Sequence, residues 1–118
     1  MTPLFEPLLK SKWICNVYSD GELVFPNYLV KSVTRPSFTN TLGWSNPVVY
    51  LYESAITLAC VQELDVNGSY HIQIQYLSAD GSISFTSGIR GISIKSITRE
   101  ELDYSKSELM IVKIEFKK

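Results

Sequence analysis

Residues 69–86 read Ser-Tyr-His-Ile-Gln-Ile-Gln-Tyr-Leu-Ser-Ala-Asp-Gly-Ser-Ile-Ser-Phe-Thr, and this stretch decides the fold class. In its first half Tyr70, Ile72, Ile74 and Tyr76 alternate with His71, Gln73 and Gln75. Successive side chains of a strand point to opposite faces, so the pattern predicts a strand with one apolar and one polar face. Ala79-Asp80-Gly81 follows as a turn signal. On the return, Ile83 and Phe85 alternate with Ser82, Ser84 and Thr86. The segment reads as a β-hairpin.

The same reading extends outward. Residues 12–18 form a first strand, stopped by Ser19-Asp20-Gly21, and residues 22–25 return from it until Pro26-Asn27. Residues 28–34 run up to Pro36, whose ring denies Arg35 the helical region. A turn-rich stretch occupies 37–47. Two apolar runs follow, VVYLY and AITLACV, kinked near Glu53-Ser54, and both read as strand. Asn67-Gly68 reads as a two-residue turn pairing AITLACV with 69–77. Residues 89–97 bring Ile92 and Ile94 inward. In the last strand, 108–116, Met110, Val112, Ile114 and Phe116 oppose Leu109, Ile111, Lys113 and Glu115. Thr98-Arg99-Glu100-Glu101 has the form of a capping box and predicts one helical turn.

Composition agrees with this reading. Ile, Val and Thr number 27 against 3 Ala, a balance that favours strands. The expected architecture is all-β: a single β-sandwich or barrel domain over 1–118, with seven or eight mainly antiparallel strands and at most short helical turns. Residues 1–11 form an N-terminal arm in which Pro3 and Pro7 flank Leu4-Phe5 and Leu8-Leu9. The 118 residues suffice for one core without metals or disulfides. Net charge is -1, so no global field draws nucleic acid or an anionic membrane. Charged residues are 19%, below the usual value of about 25%, which suits a surface that meets other protein. The opening MTPLFEPLLK lacks the basic start and apolar run of a signal peptide, and the expected compartment is the cytoplasm.

No catalytic set assembles from the sequence. His71 is the sole histidine, sits mid-strand on the polar face, and has no nucleophile turn to serve. Cys15 and Cys60 lie in apolar runs as small buried hydrophobes, too far apart for a CxxC pair. Glu100, Glu101 and Asp103 form an acidic cluster without the spacing of a calcium loop. Gly88-Ile-Arg-Gly91 lacks a third glycine and a following helix, so it marks a bulge or close approach, not a phosphate site. The expectation is a non-enzyme without metal or cofactor. Seven Tyr and 12% aromatic residues fit either a protein interface or, as the alternative, a small OB-like β-barrel binding nucleic acid or another ligand, although no basic groove is visible.

Four short features stand in order along the chain. Leu4-Phe5-Glu6-Pro7-Leu8-Leu9-Lys10 precedes Lys12-Trp13-Ile14. Val30-Lys31-Ser32-Val33-Thr34-Arg35-Pro36 comes next. Gly91-Ile92-Ser93-Ile94-Lys95-Ser96-Ile97 is followed by Leu102-Asp103-Tyr104-Ser105 and a closing apolar strand, Glu108 to Phe116. This order resembles the tail-tube family of contractile bacteriophage tails and related injection machines, with its tube-like relatives in the baseplate and hub. Proteins of that kind usually carry an insertion with a helix between the middle strands, where this chain reads as strand and tight turn. The resemblance implies a structural subunit of a phage tail, assembled in the host cytoplasm and part of the virion. Six copies would form a ring around a channel, in contact with other tail or baseplate proteins, and DNA would pass without specific binding. On that reading Leu4, Phe5, Leu8, Leu9, Trp13, Arg35, Pro36 and Phe38 are the expected assembly contacts. His71, Gln73, Gln75, Ser82, Ser84 and Thr86 are the expected channel lining.

Overall fold

The computed structural model describes residues 7–118. Its elements are β1 (Trp13–Ser19), β2 (Glu22–Phe25), β3 (Val30–Thr34), β4 (Phe38–Thr39), β5 (Gly43–Trp44), β6 (Val48–Tyr52), α1 (Ala55–Gln62), β7 (Tyr70–Leu77), β8 (Ile83–Arg99) and β9 (Ile111–Lys117). A 3-10 turn at Asn27–Leu29 leads into β3. Seven strands make one antiparallel sheet in the order β2-β1-β7-β8-β9-β6-β3, and β4 pairs with β5 apart from it. The all-β expectation holds, and the 70–86 hairpin forms with Tyr76 opposite Phe85 and Gln75 opposite Thr86.

One strand organises the rest. β8 has 17 residues. Up to Ile92 it pairs with β7; from Ser93 it pairs with β9. Near the handover Tyr70 faces Ile92 while Ile72 faces Ile89, so Arg90 and Gly91 together oppose His71. Gly91 sits at φ 65°, in the left-handed region that a Cβ disfavours. A second register shift falls between Ile94 and Ser96. Such bulges bend a strand and increase its twist. The sheet therefore folds over at β8 into two halves, β2-β1-β7-β8 and β8-β9-β6-β3, and border strand β3 comes against β1.

The core lies between the halves. Cys15, Val17, Ile72 and Ile74 from the first meet Val49, Leu51, Val112, Ile114 and Phe116 from the second, all buried. Tyr70 and Phe116 touch across it, ring centroids 5.8 Å apart. Each such side chain taken fully from water contributes about 1.5–3 kcal/mol, and together they hold the fold. Cys15 and Cys60 are free thiols, and burial pushes the Cys15 thiol up to about 12.

Four readings of the sequence are corrected. AITLACV is helix, not strand. Ser54 opens it, its Oγ accepting from Thr57 N at 3.2 Å, while Thr57 Oγ1 donates to Tyr52 O at 2.6 Å. Thr57, Cys60, Val61 and Leu64 recur at helical spacing and pack inward, Thr57 fully buried. The run is apolar on nearly every face, so its period did not separate helix from strand. Asn67-Gly68 consequently closes no hairpin. Gly68 N instead donates to Asp65 O, Tyr70 OH also donates to Asp65 O, and β7 takes β1 as its neighbour.

The helical turn expected at 98–101 is likewise absent. β8 continues through Arg99, which pairs with Val112 and bonds Glu53 Oε1 at 2.5 Å. Glu100 turns its Oε1 to accept from Ile111 N at 3.0 Å and so starts β9. The last strand begins at Ile111, not at 108, and leaves Leu109 exposed in the preceding loop.

Candidate assembly surfaces

The outer face of the first half-sheet follows from its register. Ile14, Gln75 and Thr86 lie side by side across β1, β7 and β8. Asn16, Gln73 and Gly88 form the next row, and Tyr18 and His71 meet the Arg90-Gly91 bulge. Four of the six residues expected to line a channel, His71, Gln73, Gln75 and Thr86, thus share one polar face. Ser84 falls in the register shift between Phe85 and Ile83. Ser82 lies in the hairpin loop, where its N and Oγ donate to Asp80 Oδ1 at 2.9 and 2.7 Å.

His71 is the constrained member of that face. Its ring stacks on Tyr18 at 5.8 Å, and a Cβ at position 88 would lie 2.9 Å from its Nε2, so Gly88 leaves the ring its space. Nε2 is buried and has no hydrogen-bond partner among the described residues. Burial, and then the nearby Arg90 guanidinium, lower its pKa from the ordinary 6.5. The imidazole is therefore neutral at neutral pH, and Arg90 is the cation bordering the polar rows.

The rims of the sheet are open. Among the described residues β8 has a strand partner on only one side at a time, β7 before the handover and β9 after it. Border strands β2 and β3 each have one strand partner among the described residues. Exposed rows of N–H and C=O groups favour pairing with another chain.

An apolar groove of about 350 Å³ opens where the N-terminal segment crosses between the halves. Leu8, Leu9, Trp13, Val33, Arg35 and Tyr76 line it. Trp13 is half-buried, packs on the core, and donates Nε1–H to Lys10 O at 2.6 Å. Arg35 lies over the Tyr76 ring, 5.7 Å from its centroid, and its Nη1 donates to Tyr76 OH at 3.2 Å.

Of the expected assembly contacts, then, Leu8, Leu9, Trp13 and Arg35 come together. Pro36 is half-buried, and Phe38 leaves the group to pack on Trp44, 5.5 Å away, in the small β4–β5 hairpin. Leu4 and Phe5 lie outside the described residues. Tyr76 was not anticipated as a groove residue, because only the fold brings Arg35 and Tyr76, 41 residues apart, into contact. Also unanticipated is the loop 100–110, whose Leu102, Tyr104 and Leu109 are exposed. Among the described residues no three His, Cys, Asp or Glu side chains converge as a metal site requires.

The fold defines a class at this point. Over 94% of its length the chain superposes on 91% of a chain from an extracellular contractile injection system, the PVC sheath/tube terminator in its extended state. The TM-score is 0.66 with 15% sequence identity. A chain of the PVC sheath-tube complex in the extended state matches with TM-score 0.64 and 15% identity, over 95% of this chain and 87% of that one. A chain of the 6-fold symmetrised baseplate of the anti-feeding prophage matches with TM-score 0.60 and 13% identity, over 95% of this chain and 91% of that one. No protein-family model matches the sequence, and no curated protein sequence matches it. The chain thus has the tail-tube-like β fold found among components of contractile injection systems, and it has that fold nearly whole.

Proposed function

We propose that this protein is a non-enzymatic structural subunit of a contractile tail or injection device, acting in its tube, tube terminator or baseplate. Copies would join into a ring around a channel. The observation that carries the reading is the shared fold over 94% of the chain in a particle of this kind, combined with the unpaired rims of β8, β2 and β3. Joining subunit sheets into one closed barrel removes such rims. A ring of six is the expected stoichiometry, in keeping with the 6-fold symmetry of one structural neighbour.

On this reading the outer face of the first half-sheet, with Gln73, Gln75 and Thr86, lines the channel. Uncharged polar side chains let a polyanion slide where a cationic lining would hold it. The mature location is the assembled particle, and DNA or another cargo passes through without specific binding. Negative-stain microscopy of the purified protein, alone and with its tail partners, tests the ring. Annuli about 100 Å across are expected for six domains of this size, and a monomer that never enters a particle overturns the proposal. Gln73→Lys with Gln75→Lys tests the lining: delivery should fall while the particle still assembles, and unchanged delivery removes the channel assignment.

A further inference from the structure

Two surfaces at opposite ends of β8 are complementary. At the hairpin end lies the groove of Leu8, Leu9, Trp13 and Tyr76. Its charged lining groups are Lys10 and Arg35, and no carboxylate lines it among the described residues. Neither cation belongs to the ion pairs found there, Lys95–Glu115 and Arg99–Glu53. At the other end, after Arg99, the loop 100–110 carries Glu100, Glu101, Asp103 and Glu108 against the single Lys106. Leu102, Tyr104 and Leu109 stand exposed among these acids.

The carboxylates divide by role. Glu100 bonds Ile111 N, and Asp103 accepts from the N and Oγ of Ser105 at 2.9 and 2.7 Å, so these two shape the loop. Glu101 and Glu108 are in no hydrogen bond or ion pair among the described residues, and they are exposed. The loop does not line the groove of its own chain in this structure. The groove includes Tyr76, which pairs with Phe85 near the start of β8, and the loop leaves from the far end of the same 17-residue strand.

We propose that the loop 100–110 of one copy docks into the groove of a second copy. Leu102 and Tyr104 enter beside Leu8, Leu9, Trp13 and Tyr76, and Glu101 and Glu108 meet Lys10 and Arg35. The inference deepens the assembly reading and rests on it. Docking covers apolar surface that each copy otherwise leaves in water. The opposite charges steer the encounter and fix its register. Because the two surfaces differ, the contact is head-to-tail, the type that generates rings when the rotation closes.

The test replaces Tyr104 with the photocrosslinker p-benzoylphenylalanine in a mixture of ¹⁵N-labelled and unlabelled chains. Mixed-isotope crosslinks to peptides containing residues 8–13 or 33–35 are expected, with yield falling as salt rises. Lys10→Glu with Arg35→Glu should cut that yield about tenfold, two exposed pairs being reversed. Adding Glu101→Lys with Glu108→Lys to the crosslinker-bearing chain should restore it, which a misfolded groove would not allow. Crosslinks from Tyr104 to other peptides overturn the inference and leave the assembly reading standing. No crosslink between copies at about 1 mM overturns it as well, while the ring is judged separately by microscopy. In a Trp44→Phe background, quenching of Trp13 emission by oligothymidylate, lost in Lys10→Glu with Arg35→Glu, would assign the groove to nucleic acid and also overturn it.

Discussion

Replacing Gly91 with alanine probes the bend on which the whole arrangement depends. The residue holds φ at 65°, and a Cβ there would meet nothing within 4 Å. The cost is therefore backbone strain alone, about 1–2 kcal/mol for an L side chain in the left-handed region. Alanine also narrows the unfolded ensemble, which returns about 0.4–1 kcal/mol. The net expectation is a loss of about 1 kcal/mol, or a fall in Tm of roughly 4–6 °C for a chain of this size. Asparagine tolerates the left-handed region, so Gly91→Asn should lose less than half as much. Gly88→Ala is the contrasting case. Its Cβ would press on His71 Nε2 at 2.9 Å, so its effect should be relieved by also removing the ring. Thermal melts followed by far-ultraviolet circular dichroism, backed by urea titrations, read all three. A Gly91→Ala protein as stable as the parent, or Asn costing as much as Ala, would refute the bulge as the source of the bend.

Other consequences are direct. Thr57→Val removes the donor to Tyr52 O beneath the helix and leaves that carbonyl unpaired, so stability should drop by about 1–3 kcal/mol in urea unfolding. Phe116→Ala empties the centre of the core and should cost about 3–5 kcal/mol by the same assay. His71 has a folded pKa below its ordinary 6.5, so the folded state resists its protonation. Its stabilising share is full above 6.5 and is lost as pH falls from there through the lower folded value. The urea midpoint should decline across that window, and His71→Gln, lacking the sole histidine, should flatten the curve. Cys15, with its buried thiol pushed up to about 12, should react with a thiol reagent only on unfolding, while half-buried Cys60 reacts in the native protein.

The sequence alone determined the strands whose two faces meet different surroundings. β7 was legible because Ile72 and Ile74 face the core while Gln73 and Gln75 face outward, a contrast that writes period two into the chain. The inward set of β9 was legible for the same reason, as was the turn after β1. The order of short motifs also pointed to the tube-like fold that the structural likeness supports. Helix α1 escaped because its run is apolar nearly all round and carries no usable period, and the Ser54 cap was its one local sign.

Tertiary structure decided the pairings. A strand's sequence states which face is apolar but not which neighbour completes its hydrogen bonds. Hence β7 lies beside β1, far away in the sequence, and not beside the segment before Asn67-Gly68. The same holds for the groove. Leu8, Trp13, Arg35 and Tyr76 come from separate segments whose meeting depends on the bend in β8, so no local pattern in the sequence records it.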